Sequence, residues 1–202
     1  MNTVMLTGST GFVGSVLLAE LKKLPEFHVV SAVRSAVSPA SDDVVVVGNI
    51  DGTTDYLSAL NGVDVVVHAA ARAHVMRDEV ADTLAEFRKV NVDGTLNLAR
   101  QAAAAGVKRF IFISSIGVHG LNSSRPFTET DSEAPHDPYA VSKYEAEQGL
   151  RKLATETGLE VVIIRPPLVY GGAAPGNFRS LINLASKPCL LYTSDAADDT
   201  PC

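Results

Sequence analysis

The sequence predicts a doubly wound α/β domain built on a parallel sheet. Two observations carry that expectation. Short apolar runs of strand length alternate with helical segments from residue 3 to residue 164. Those runs are apolar at consecutive positions, the pattern of strands covered on both faces. No internal repeat or low-complexity tract interrupts the alternation.

Thr3–Thr7 is a short buried strand followed by a helical run to Lys23. Val29–Val33 and Val44–Val47 are apolar runs bounded by Pro, Gly, Ser and Asp. Val63–Val67 is a fourth strand, entered through an Asn61-Gly62 turn. Leu84, Phe87, Val90, Leu98, Ala99 and Ala102 recur at helical spacing, which predicts one long helix from Thr83 to Ala105, stopped by Gly106. Arg109–Ile113 is the fifth strand. Tyr139–Thr157 reads as a helix, preceded by Pro135 and Pro138 and closed by Gly158. Val161–Ile164 is the sixth strand, ended by Pro166-Pro167.

Composition narrows the function classes. With 46% apolar and 20% charged residues, the 202-residue chain can bury a real core. A net charge of −6 argues against a nucleic-acid protein, which needs a basic footprint. No apolar stretch reaches about 18 residues, so no membrane helix is expected. The first strand follows Met1 at once and leaves no room for a leader, so a soluble cytoplasmic domain is the expectation. Cys189 and Cys202 are the only cysteines, so a disulfide framework or Cys-based zinc site is not expected before residue 189. His28, His68, His74, His119 and His136 show no metal-like pairing; His68 belongs to the turn after the fourth strand, and no metal is predicted.

Three constellations carry chemistry. Gly8-x-x-Gly11-x-x-Gly14 lies between the first strand and first helix. Gly8 permits the tight turn, Gly11 lets a pyrophosphate approach, and Gly14 allows close helix–strand packing. Phe12 and Val13 open the helix whose free amides and positive dipole end favour the phosphates. The second strand closes on Val33-Arg34-Ser35 without the acid that would bond adenosine ribose hydroxyls. Arg34 therefore tilts NAD(P) binding toward NADP, unless it is only a solvated surface residue.

Tyr139-Ala-Val-Ser-Lys143 places Tyr139 and Lys143 on one helix face. A phenol with a pKa of about 10 is a poor base at neutral pH. The Lys143 ammonium and a cationic nicotinamide would lower that value, allowing Tyr139 to take a proton from a sugar hydroxyl while hydride leaves for the cofactor. Ser114-Ser115 ends the fifth strand, on the edge where sheet ligands bind. Ser115 is the candidate to hydrogen-bond the reacting oxygen; a strand-end cap is its other role.

Together these elements resemble the extended short-chain dehydrogenase/reductase family, in particular its NAD-dependent epimerase/dehydratase branch. Gly48-Asn-Ile50, His68-Ala-Ala-Ala71, Asn91-Val-Asp-Gly-Thr95, Ile113-Ser-Ser-Ile-Gly-Val-His-Gly120 and Arg165-Pro-Pro-Leu-Val-Tyr-Gly171 extend the likeness over roughly residues 3 to 186. The resemblance implies a Rossmann fold with Ser115, Tyr139 and Lys143 as catalytic triad. It implies that Asn49 and Ile50 flank the adenine and that Ala69, Ala70 and Ala71 line the middle of the cofactor. Lys143 would also grip the nicotinamide ribose, Asn91 would help position Lys143, and Pro166 would lie beside the nicotinamide. Ser115, Tyr139 and Asn177 would contact a nucleotide-sugar substrate.

Sugar-nucleotide dehydratases of this kind follow the catalytic hydroxyl with Asp-Glu; here Ile116-Gly117 follows Ser115, which argues against water elimination. The pattern is most similar to the UDP-glucose 4-epimerase group, which implies a sugar-nucleotide 4-epimerase working through a 4-keto intermediate. The alternatives are an NADP-dependent 4-ketosugar reductase or dehydrogenase, and a catalytically inactive nucleotide-binding or nucleotide-sensing protein. The family also implies a homodimer in the full-length protein, paired through the long helix and the Tyr139 helix.

Residues 1–170 thus read as an NAD(P)-binding domain and 171–188 as the start of a substrate-binding region. Residues 189–198, Cys-Leu-Leu-Tyr-Thr-Ser-Asp-Ala-Ala-Asp, resemble one translated frame of a transposon-based sequencing adaptor, so 189–202 reads as a non-native tail and most of the substrate domain as missing. The other reading is a genuine polar C-terminal tail. On the adaptor reading the isolated chain is expected to be poorly stable and inactive.

Overall fold

Six strands, β1 (Asn2–Thr7), β2 (Phe27–Val33), β3 (Val44–Val46), β4 (Val65–His68), β5 (Arg109–Ile113) and β6 (Glu160–Ile164), form one sheet in the computed structural model. Every neighbouring pair is parallel, and the order is β3-β2-β1-β4-β5-β6. The structure describes residues 1–36, 43–73, 82–120, 123 and 125–171. Met1–Leu168 form one compact unit and Val169–Cys202 a second; of the second, only 169–171 are described.

Consecutive apolar residues serve opposite faces. Met5 and Val66 pack with Leu98, Ala102, Phe110 and Leu150 on one side of the sheet. Val4, Leu6 and Val67 pack with Val29 on the other, against Leu17, Leu18 and Leu21 of α1 (Phe12–Leu21). This is why the central strands carry no alternation. The outer strands depart from that rule: Val46 on β3 and Ile164 on β6 are exposed.

The chain reverses its direction of travel across the sheet between β3 and β4, so the connections leaving β1 and β4 part at the carboxyl ends of these paired strands and leave a crevice there. α4 (Pro138–Thr157) starts where expected, with Asp137 accepting from the Ala140 N–H at 2.9 Å and proline in the first turn.

The long helix predicted from Thr83 to Ala105 runs unbroken from Thr83 to Ala104, but it is not regular. α2 (Thr83–Arg88) and α3 (Thr95–Ala104) are joined by a wide π turn over Lys89–Gly94. The periodicity of the apolar residues is the same on either side of such a turn, so it left no mark in the pattern. Its physical setting is specific. Gly94 is packed so closely that a Cβ would lie 2.6 Å from the Ile50 side chain, and Asn91 is buried in the same turn.

Candidate cofactor and proton-transfer site

The turn after β1 is shaped by what its glycines lack. Gly8 has φ +75°, and a Cβ there would lie 2.6 Å from the Ala70 nitrogen. A Cβ on Gly14 would lie 2.0 Å from the Gly8 carbonyl oxygen, whereas one on Gly11 would approach that oxygen only to 3.2 Å. Gly11 stands at the N-cap of α1, whose first residues are Phe12 and Val13, and no side chain caps the helix. Its leading amides therefore face the crevice mouth with the positive end of the helix.

Behind this turn the floor is tied together by one histidine. His68, at the end of β4, meets the Thr7 hydroxyl at 2.7 Å through Nδ1 and the Thr95 hydroxyl at 3.0 Å through Nε2. The Ala70 N–H donates to the same Thr7 hydroxyl at 3.3 Å. β1, β4 and α3 are thus joined directly under the cradle. Burial, with a smaller contribution from Lys143, pushes the His68 pKa down to about 3. In the unfolded chain His68 regains an ordinary value near 6.5, so the unfolded state binds the extra proton between those values. The stability that this difference supplies is complete above pH 6.5 and is lost as pH falls toward 3, at up to about 1.4 kcal/mol per pH unit. Urea unfolding at several pH values between about 6.5 and 5.5, above the ordinary carboxylate range, should show a steeper loss in wild type than in His68→Gln. Equal slopes would contradict the buried neutral imidazole.

A cleft of about 530 Å³ opens over this floor, lined by Gly8 and Gly11, by Ala69–Ala71, by Asn49 and Ile50, and by Arg34. Most of the residues expected to hold a dinucleotide therefore share one cavity, with three cations, Arg34, Arg72 and Lys89, and two carboxylates, Asp51 and Glu86, on its walls. A nucleotide with a charged backbone fits that combination of a glycine cradle and an uncapped helix end.

Ser115, Tyr139 and Lys143 lie outside that lining. Lys143 is 1% exposed; its Nζ donates to the Ile113 carbonyl at 2.7 Å and stands 4.3 Å from the centre of the Phe112 ring. Burial pushes the ammonium down to about 7, against the pull of the Glu147 carboxylate. Tyr139 lies one helical turn earlier, its ring centre 5.9 Å from Nζ and edge-on to Phe87 at 6.1 Å.

The expected lowering of the Tyr139 pKa is not found in the protein alone. Its value is raised, by burial first and by the Asp137 charge second. The physical reason is that burial disfavours the charged phenolate and the Asp137 carboxylate repels it. Ser115 takes the cap role: its Oγ accepts from the Gly117 N–H at 3.1 Å and starts the tight turn Ile116–His119. Its hydroxyl hydrogen remains a donor.

Asn91 reaches Lys143 only through a neighbour. Its side chain accepts from the Arg72 N–H at 2.8 Å and donates to the Arg72 carbonyl at 3.1 Å and to the Ser142 hydroxyl at 3.0 Å. It thereby locks the segment after β4 to α4. The Pro166 carbonyl accepts from the Ile116 N–H at 3.0 Å and extends the β5–β6 pairing to the site's edge. Asn177 lies outside the described residues, as do Cys189 and Cys202.

Sequence reasoning missed a buried polar cluster beside Lys143. Glu147 is fully buried. Arg165 donates to it through Nε at 3.0 Å and through Nη2 at 2.5 Å, and the Ser114 hydroxyl donates to it at 2.5 Å. Tyr139, Lys143 and Glu147 follow one another at steps of four on the same helix, a signal that was open to reading.

No group of three His, Cys, Asp or Glu able to hold a metal occurs among the described residues. No helix among them is long and apolar enough to cross a membrane.

Comparison with known proteins follows the same lines. Over 187 residues the chain is 50% identical to a UDP-glucose 4-epimerase of Vibrio cholerae, covering 92% of this chain and 57% of that protein. The solved UDP-glucose 4-epimerase of Thermotoga maritima with UDP-glucose superposes with a TM-score of 0.70 at 27% identity, over 84% of this chain and 56% of that one. A dTDP-glucose 4,6-dehydratase from Streptomyces venezuelae, solved with NAD, superposes with a TM-score of 0.72 at 30% identity, over 91% and 62%. The chain thus spans little more than half the length of the relatives it matches. With residues 4–190 matching its pattern, the chain belongs to the NAD dependent epimerase/dehydratase family.

Proposed function

We propose that this chain carries the cofactor-binding and proton-transfer half of a sugar-nucleotide 4-epimerase acting on a UDP-hexose. The observation that carries the reading is the pairing of Tyr139 and Lys143 on α4, with Lys143 Nζ held on Ile113, two residues before Ser115. A nicotinamide cofactor, when bound, accepts a hydride from C4 of the sugar and returns it. The chain's own residues handle the proton. Tyr139 takes it from the C4 hydroxyl and gives it back, Ser115 donates to the reacting oxygen, and the Lys143 ammonium stabilises the phenolate. Ile116–His119 after Ser115 form a tight turn without a carboxylate, which supports inversion over the elimination that the dehydratase relatives are named for.

The test joins residues 1–186 to the remaining part of the Vibrio cholerae relative. The hybrid is expected to interconvert UDP-glucose and UDP-galactose, read by coupled oxidation of the glucose form. A folded hybrid that binds cofactor yet leaves C4 unchanged would overturn the reading.

One observation favours the second reading, an NADP-dependent 4-ketosugar reductase: Arg34 lines the cleft where the second strand ends. If Arg34 receives a 2′-phosphate, Arg34→Asp should weaken NADP binding by at least about tenfold and strengthen NAD, since an acid there bonds ribose hydroxyls. Calorimetric titration of both cofactors checks this. An unchanged preference would remove Arg34 from the site.

A further inference from the structure

The segments that carry Ser115, Lys143 and Pro166 come from three distant parts of the chain, and one carboxylate touches all three. Glu147 sits one turn beyond Lys143 on α4. Its Oε1 accepts from the Ser114 hydroxyl, next to Ser115. Arg165, next to Pro166, holds both its oxygens. The same guanidinium donates to Glu133 at 3.0 Å and to His119 Nε2 at 2.8 Å, drawing in the loop between β5 and α4.

We propose that Glu147 is the positioning residue of the Tyr139–Lys143–Ser115 group: clamped by Arg165 and Ser114, it fixes the end of β5, and with it the Ile113 carbonyl that holds Lys143, against α4. The proposal rests on the functional role given to Lys143 above. A buried ion pair is seldom retained for stability alone, because well-packed apolar residues of the same volume serve as well or better. The charge is therefore the feature to explain.

Each element around Lys143 offers a different group. α4 brings Tyr139 and Glu147. β4 brings His68, which is neutral. β5 brings the Ile113 carbonyl and the Phe112 ring. Glu147 in turn faces Arg165 from beyond β6, Arg151 at 3.9 Å on α4, and Ser114 from β5, with Glu133 and His119 behind Arg165. Glu147 is the carboxylate that opposes burial at Lys143.

The test is an NMR titration of the hybrid of residues 1–186 with the remaining part of the Vibrio cholerae relative, labelled at lysine Cε and Nζ, with the Lys143 signal identified by its loss in Lys143→Arg. Glu147→Gln preserves shape and removes charge. It is expected to lower the Lys143 midpoint by at least about one pH unit, a tenfold fall in the charged-to-neutral ratio at pH 8. Glu147→Asp keeps the charge but draws it back by one methylene, and should lower the midpoint by a resolvable amount that is less than half as much. A merely structural residue predicts the opposite order, with Gln the better substitute and the midpoint unmoved; that result would overturn the proposal. Should Glu147→Gln fail to fold, an Asp variant with the wild-type midpoint overturns it equally. The titration is read without substrate or cofactor, so it stands apart from any failure of the epimerase reading.

Discussion

Tyr139→Phe in the hybrid enzyme is expected to slow C4 inversion by about 10³-fold, within the range general acid–base groups contribute, while cofactor affinity changes by less than about twofold. The phenyl ring can keep the edge contact with Phe87 and the face presented to Lys143, so the loss is confined to the hydroxyl. The raised pKa of Tyr139 makes the variant informative. A phenol held protonated by burial is a poor base until positive charge reaches it, so the hydroxyl contributes in the transition state more than in the ground state. The effect should therefore fall on kcat and kcat/KM together, with KM little changed. Single-turnover rates with UDP-glucose check this. A variant that retains more than a tenth of the wild-type rate would show that another group moves the proton.

Gly14→Ala is expected to abolish cofactor binding at concentrations a hundred times the wild-type Kd and to cost about 2–4 kcal/mol of stability. The added methyl would lie 2.0 Å from the Gly8 carbonyl oxygen and 2.7 Å from its carbon. Both are backbone atoms of the cradle, so no side-chain rotation relieves the overlap; α1 must move away from β1 and take its amide donors with it. Gly62→Ala is the control. Gly62, unlike Gly14, has a positive φ, +68°, but a Cβ there meets nothing within 4 Å. It should lose only about 1–2 kcal/mol from the left-handed backbone and bind cofactor normally. Urea unfolding and calorimetry on the two variants separate strain from collision. Normal cofactor affinity in Gly14→Ala would mean that the cradle can reshape.

Much of this was legible before any coordinates. Consecutive apolar runs mark strands buried on both faces, which holds for β1 and β4 and weakens at β3 and β6, where one face or one edge meets solvent. Gly8, Gly14 and the Tyr139–Lys143 spacing are local signals, set within a single turn or helix. What was not legible depends on contacts between distant segments. Arg165 and Glu147 are 18 residues apart and meet only because β6 lies next to β5 under α4. The Lys143 anchor on Ile113 spans 30 residues. Burial, with the Asp137 charge, reverses the pKa direction that the Tyr-Lys spacing alone suggests for Tyr139.

The wide turn at Lys89–Gly94 bears on what this lineage can lose. Such a turn is equivalent to one residue inserted into an ordinary helix, and excising a single residue would restore a regular spiral without rotating either flank. Phe87 and Leu98 would still reach the hydrophobic interior, so folding alone exerts no pressure to keep the insertion. The Asn91 amide would be displaced, and with it the hydrogen-bonded bridge it makes between Arg72 and Ser142. The extra residue therefore goes with the bridge rather than with the scaffold, and a descendant that shed it would keep its architecture while loosening the link between the segment after β4 and α4.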